Sequence, residues 1–479
     1  MSGPTMPAAR RWLALGVLCS GTLLVILDGS VVTVALPIIQ HDLGFSRSGL
    51  AWVVNAYLIA FAGLLLLAGR LGDLIGRKRV LLAGLAVFTV ASLLCGVAGS
   101  SGELIAARFA QGVGGAMASA VVLGMIVTMF PEPGERARAI GVYSLVQASG
   151  AAIGLIAGGV LTQLLSWHWA FFVNVPVGIA AVLLAYRLFP AERGPGLRAG
   201  LDLPGAALVT GGLMLLVYAI VEAERHSWGS PRTAGPAVLS IVLLAGFVIR
   251  QATARQPLLP LRIFRSRAVS GANLVMLPLV AGMFGFQFLT ALYLQRLLDL
   301  DALRTGLAFL PAPAAIALVS VGVAGRLAAR FGPRTVLVAG LTAIAAGLLL
   351  LARVPADARY AVDVLPALVL IGAAFGAVLP ALMGQAMSAA TPADSGLASG
   401  LVNTTQQVGA AIGTAVLAAL ASARTGALLA QGAGSAAALA GGFRVAYAAS
   451  AAFALAGVVA AVLVLRRPAK LPAGRPVDA

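Results

Sequence analysis

The chain has 479 residues, of which 60% are apolar and only 10% charged, with a mean hydropathy of +0.99. Soluble domains carry about 25% charged residues, so an ordinary water-soluble fold is excluded and the bilayer interior must take the place of a soluble core. The net charge of +17 alone would suit a nucleic-acid binder, and both cysteines, Cys19 and Cys95, lie in apolar runs that imply no disulfide framework.

Fourteen apolar segments follow, most of them reaching the ~17–25 residues that a spanning helix needs. The first, Leu13–Leu36, follows Arg10-Arg11. It is too long for the core of a signal peptide and contains Asp28, so it reads as a retained first helix. Leu50–Gly69 and Val80–Gly99 flank a basic turn, Gly69-Arg-Leu-Gly-Asp73-Leu-Ile-Gly76-Arg77-Lys78-Arg79. Leu104–Phe130 carries Arg108, Ala139–Leu164 carries Gly150, Gly154, Gly158 and Gly159, and Phe171–Phe189 completes a first set of six. A Pro/Gly-rich basic stretch from Pro190 to Arg198 reads as a surface loop. Pro204–Val221 and Thr233–Ala252 come next, the latter with the shortest apolar centre, and a second basic loop runs from Arg255 to Arg265. The remaining six are Ala268–Leu294, Leu307–Ala329, Val336–Ala352, Val364–Ala389, Leu397–Ala421 and Val445–Leu465.

Alternate loops differ sharply in charge. With a cytoplasmic amino terminus, 23 of the 33 basic residues fall on the inside and 9 on the outside, and Arg108 stands within a helix. Such a bias sets orientation, so both termini are expected in the cytoplasm. Losing the eighth segment would invert the second half and turn its basic loops outward. Basicity here belongs to topology and to anionic headgroups, and no nucleic-acid partner is expected.

A degraded copy of the first basic turn recurs 256 residues later as Gly325-Arg-Leu-Ala-Ala-Arg330-Phe-Gly332-Pro333-Arg334. That interval is too long for six helices with short loops and fits two more. The expected fold is an all-α polytopic bundle: six helices over 1–190, two linking helices over 191–267, and six over 268–479.

A charge at mid-membrane costs roughly 2.5–3.5 kcal/mol on insertion scales. Asp28 lies about 13 Å and Arg108 about 9 Å below the same outer rim at 1.5 Å per residue. They can form a structural ion pair, or both can face a wet cavity. Movement that changed their separation, or the wetting of Asp28, would change its proton affinity. The glycines at 150, 154 and 158 share one helix face and permit close approach of a neighbour. Asp73 and Arg77 can latch the helix ends at the basic turn, with Gly69 and Gly76 allowing the tight bend, or the turn can serve as a topology anchor. Among polar helix residues, Asn55, Gln111, Gln147, Gln287, Asn403 and Gln406 are candidates for a substrate path.

The paired basic turns resemble those of the major facilitator superfamily. Leu27-Asp28-Gly-Ser30 through Pro37 resembles the first-helix motif of its fourteen-helix drug:proton antiporters. Arg108-Phe-Ala-Gln111-Gly112 is similar to the fourth-helix motif, whose arginine is implicated in proton coupling. The fifth-helix glycines resemble the antiporter motif, with Leu155 where proline is usual. Trp167-His168-Trp169-Ala-Phe171-Phe172-Val-Asn174-Val-Pro176 and Leu201-Asp202-Leu-Pro204-Gly205 match further family patterns, with His168 where arginine is usual. The resemblance implies proton-coupled efflux of small amphiphilic compounds such as drugs or antibiotics by alternating access. It implies no cofactor beyond the proton gradient, and a monomer in a bacterial cytoplasmic membrane.

Other functions fare worse. No phosphate-binding Gly-x-x-x-x-Gly-Lys-[Ser/Thr] is present, and neither lysine, Lys78 or Lys470, is followed by Ser or Thr. A channel would call for a repeated pore segment or a ring of charges. No cluster of catalytic groups or metal-ligand spacing suggests an enzyme or a metal. Proton-coupled uptake or export of one metabolite is the alternative reading.

Overall fold

The computed structural model describes residues 7–45, 50, 52–190, 194–196, 202–226, 229–255, 257–300, 302–355, 358–388 and 395–465. Most of the loop expected over 190–198 and the tail from Arg466 lie outside the described residues.

The first six helices are α1 (Ala8–Asp42), α2 (Trp52–Ile75), α3 (Arg77–Gly96), α4 (Ser101–Met129), α5 (Pro133–Leu164) and α6 (Trp169–Leu188, broken at Val173). The linking pair is α7 (Leu203–His226) and α8 (Pro231–Thr253). The last six are α9 (Arg267–Arg296), α10, α11 (Pro333–Leu351), α12 (Leu365–Met387), α13 (Ser395–Ala430) and α14 (Ser435–Val464). Here α10 comes in three pieces, Ala302–Phe309, Pro311–Gly322 and Ala324–Phe331. Thirteen of these helices are long and apolar enough to cross a membrane among the described residues, and the 32-residue α5 completes fourteen.

Several helices overrun their apolar segments. The reach of α1 to Asp42, and of α13 to Ala430, follows from what hydropathy measures. It marks the length immersed in hydrocarbon, whereas backbone hydrogen bonding continues into the headgroup region until a cap intervenes. Asp28 therefore lies fourteen residues, or ~21 Å, before the end of α1, part of that length being helix beyond the apolar segment.

The two basic turns share a backbone device. Gly76 (φ 100°) precedes α3 and Gly332 (φ 79°) precedes α11, a region where a side chain is strained. Small residues set the close crossings. In α3 and α4, a Cβ on Gly84 would come within 2.5 Å of Ala118 N. A Cβ on Gly409 of α13 would stand 2.8 Å from Leu277 O of α9.

The halves meet at hydrogen bonds from Ser320 Oγ to Gly141 O (3.1 Å) and from Asn403 Nδ2 to Ser119 O (3.2 Å). The linking helices stand beside one of the two seams. Ala206, Val209 and Leu213 of α7 bury against Leu66 of α2 and Leu397 and Leu401 of α13. Asp202 pins the start of α7 by accepting from Gly205 N, Arg250 Nε and Gln251 Nε2, each at 3.1 Å. Burial alone would raise this carboxyl's pKa, and those hydrogen bonds, with the Arg250 charge, more than reverse it, holding it below the usual carboxylate range.

Candidate functional site

Asp28 of α1 and Arg108 of α4 meet as a direct ion pair at 2.5 Å, with side chains 0% and 1% exposed. An ion pair this dry is tolerable only if the remaining lone pairs and protons are satisfied, and four elements satisfy them. Asp28 Oδ1 accepts from Gln111 Nε2 at 2.8 Å and from Asn174 Nδ2 of α6 at 3.1 Å. Arg108 also donates to Gln111 Oε1 at 2.6 Å and, through Nε, to Val53 O of α2 at 2.8 Å. Gln111 Nε2 reaches Ser92 Oγ of α3 at 2.8 Å. Gln111 thus bridges acid and base, one helical turn from Arg108. The guanidinium lies 4.5 Å from the Tyr57 ring centroid, a cation–π contact strengthened by the burial of Arg108.

The fifth-helix glycines hold this cluster in place from behind α1. A Cβ would stand 2.8 Å from Ile26 Cγ2 at Gly150, 2.6 Å from Ser30 Cβ at Gly154 and 2.9 Å from Val31 Cα at Gly158. Gly159 has nothing within 4 Å, so its place in the motif carries no close contact here.

Beside the charge pair, between the two halves, lies a cavity of about 360 Å³. Its first-half wall includes Thr22, Ile26, Gly29, Ser30, Tyr57 and Gln147, and its second-half wall includes Met283, Phe284, Gln287, Phe375, Gln406 and Gln407. Apolar and aromatic walls with a few amides form a surface that takes hydrophobic molecules bearing scattered polar groups. Met283 adds an adaptable side chain.

On the basic face the halves are locked together. Asp73 of α2 accepts from Gly396 N (2.9 Å) and Leu397 N (2.8 Å) at the start of α13. It thereby satisfies free amides at a helix N-terminus, where a negative charge is favoured. Arg77 Nε stands 3.6 Å from Asp73, and its Nη1 donates to Thr128 Oγ1 at 2.8 Å. Gly69 receives α13 backbone, with an added Cβ 2.6 Å from Gly396 O. Asp73 has a counterpart in Ala329 of the second turn, which cannot make such a lock.

The candidate path residues separate. Gln147, Gln287 and Gln406 line the cavity. Gln111 belongs to the charge cluster, Asn403 bonds Ser119 O and Ser399 O at the seam, and Asn55 is buried in α2 outside the cavity lining. Sequence reasoning overlooked Asn174 as a partner of Asp28 and Ser92 as a partner of Gln111. Asn174 stands in the quoted sixth-helix motif, which offered a signal, whereas Ser92 offered none.

A polytopic helical bundle with two halves closed on one face around a central cavity defines a membrane transporter. The family model described as Major Facilitator Superfamily matches residues 18–414, and the chain belongs to that superfamily. It is a multi-pass secondary transporter of small molecules, not an enzyme. It is 43% identical to the puromycin resistance protein pur8 of Streptomyces alboniger, over 88% of this chain and 84% of that protein. It is 38% identical to the cephamycin export protein CmcT of Amycolatopsis lactamdurans, over 87% and 86%. With the tetracenomycin C resistance and export protein of Streptomyces glaucescens the identity is 33%, over 87% and 77%. Among solved structures, the human organic anion transporter MFSD10 matches with a TM-score of 0.68 at 16% identity, over 95% of this chain and all of that one. The proton:xylose symporter XylE matches with 0.65 at 14%, over 95% of each. These two likenesses concern the fold alone.

Proposed function

We propose that this chain exports small amphiphilic compounds, antibiotics among them, in exchange for protons. The observation that carries the coupling is the dry Asp28–Arg108 pair standing next to an apolar cavity. The relatives named for puromycin, cephamycin and tetracenomycin C support the cargo class. With both termini in the cytoplasm, the face locked by Asp73 is the cytoplasmic one, and the half-molecules rock about the cavity.

Asp28 takes the proton. Once protonated it no longer needs Arg108 as a counter-charge, and it becomes a donor in need of an acceptor. Asn174 Oδ1, buried and without a hydrogen-bond partner among the described residues, can accept after a small rotation. Arg108, still held by Gln111, Val53 O and the Tyr57 ring, keeps its place and recaptures the carboxylate when the proton leaves. Exchange then requires that proton and drug favour opposite conformations.

The test is substrate-induced proton movement in proteoliposomes. Asp28→Asn keeps shape and polarity but cannot titrate, and should abolish proton-driven efflux while the protein stays folded in the membrane. Arg108→Ala should impair coupling as well. Full coupling in Asp28→Asn would send the search to another acid. Growth inhibition by puromycin, a cephamycin and tetracenomycin C, with and without expression, tests the cargo: resistance to none of them removes antibiotics from the reading.

A further inference from the structure

The charge pair is sealed differently on its two sides. Toward the end of α1, Val32, Ile39, Phe45, Leu104, Trp167 and Phe171 belong to one buried apolar cluster. Trp167 Nε1 donates to Asp42 Oδ2 at 2.7 Å and ties that end shut. This cluster offers a proton or its accompanying water little to hydrogen-bond, and an unpaired polar species there would be costly.

Toward the centre of the molecule stands Tyr57. It lines the cavity, and its ring also carries the Arg108 guanidinium. The ring stacks on Phe61 at 5.6 Å, and its hydroxyl donates to Val25 O of α1 at 3.4 Å. Gly112 receives its backbone, and a Cβ at Gly115 would stand 3.2 Å from its hydroxyl. Tyr57 is thus wedged between α1 and α4, against the charge pair and bordering the cavity.

We propose that Tyr57 is the gate of the proton site: protons reach and leave Asp28 from the substrate cavity, past this ring, and not through the apolar cluster toward the end of α1. Proton and cargo then share one vestibule. A large apolar molecule lodged against Phe61 and Tyr57 occupies the route, and a displaced ring both wets Asp28 and withdraws a partner from Arg108. Tyr57 is a positioning residue in this scheme, acting through Arg108. The functional meaning rests on Asp28 as the coupling acid, but the access route is a separate property with its own readout.

That readout is the rate at which a water-soluble carbodiimide, with glycine methyl ester as nucleophile, modifies Asp28 in the purified full-length transporter, followed by mass spectrometry of the peptide containing it. Tyr57→Ala and Tyr57→Leu should label several-fold faster than the parent. Tyr57→Phe, which keeps the ring over Arg108, should label at the parent rate, and so should Leu104→Ala in the apolar cluster. If Tyr57→Ala does not reach the membrane, Tyr57→Leu carries the comparison. Parent-like labelling in Tyr57→Leu, or acceleration by Leu104→Ala equal to it, overturns the route. Retained coupling in Asp28→Asn would instead remove the proton reading and leave the labelling result standing, so the two failures are distinguishable.

Discussion

At Gly154 a single methyl group would come within 2.6 Å of Ser30 Cβ and 3.0 Å of Leu27 O, the carbonyl just before Asp28. Over-filling a close crossing costs about 1–3 kcal/mol, and the strain would fall on the stretch of α1 that aims the carboxylate at Arg108. Gly154→Val should therefore reach the membrane in reduced amount and lose most drug resistance. Gly159→Val, five residues on and facing open space, should keep both. Growth inhibition normalised to membrane expression checks the pair, and equal loss in both variants would detach the glycine face from function. Two glycines of one motif are thus predicted to differ because only one of them has a helix against it.

The lock on the basic face belongs to the scale of elements, since Asp73 acts on α13 as a whole. Replacing a residue that caps helix amides typically costs about 0.5–2 kcal/mol. That cost is borne only in the closed state, so Asp73→Ala should shift the population toward opening by roughly tenfold for each 1.4 kcal/mol lost. Pulsed-dipolar distances between spin labels at Arg79 and Arg330 should lengthen in the variant, and an unchanged distribution would return the turn to topology alone. Asp202 plays a similar part for α7, and its lowered pKa gives a sign. A carboxyl with a depressed folded-state pKa contributes stability that is complete above its unfolded value of about 3.9, and that drains away as pH falls through the folded value. Thermal melts of parent and Asp202→Asn in detergent should differ at pH 7 and converge well below pH 4.

Across the whole molecule, the spans, the loop charges and the repeated turn were readable in the chain because each is a local pattern imposed by the bilayer. Cysteines at Gly196 and in the tail after α14 should accordingly label only from the cytoplasm. External labelling of either would overturn that orientation. Asp28 and Arg108 stood out for the same reason, since a lone charge in an apolar run is visible without knowing its partner. What a partner is could not be read so simply. Asp73 finds its amides 323 and 324 residues away at Gly396 and Leu397, and Asn174 reaches Asp28 across 146. Neutral polar residues are common enough on membrane helices that only the fold separates Gln147, which lines the cavity, from Asn403, which holds a seam.

The linking pair has a consequence for how molecules dissolved in the lipid meet this protein. Along the α2–α13 seam, α7 stands in the way, and Leu66 and Leu397 are buried beneath it. Along the other seam, between α5 and α10, Ile153 is 42% exposed and Leu307 49%. A bundle of twelve helices has two flanks of equal standing, whereas this one has a walled flank and a bare flank. For a hydrophobic compound already partitioned into the membrane, the two sides are therefore unlike: one seam lies behind α7, and the other is faced by the helix that is itself divided into three pieces.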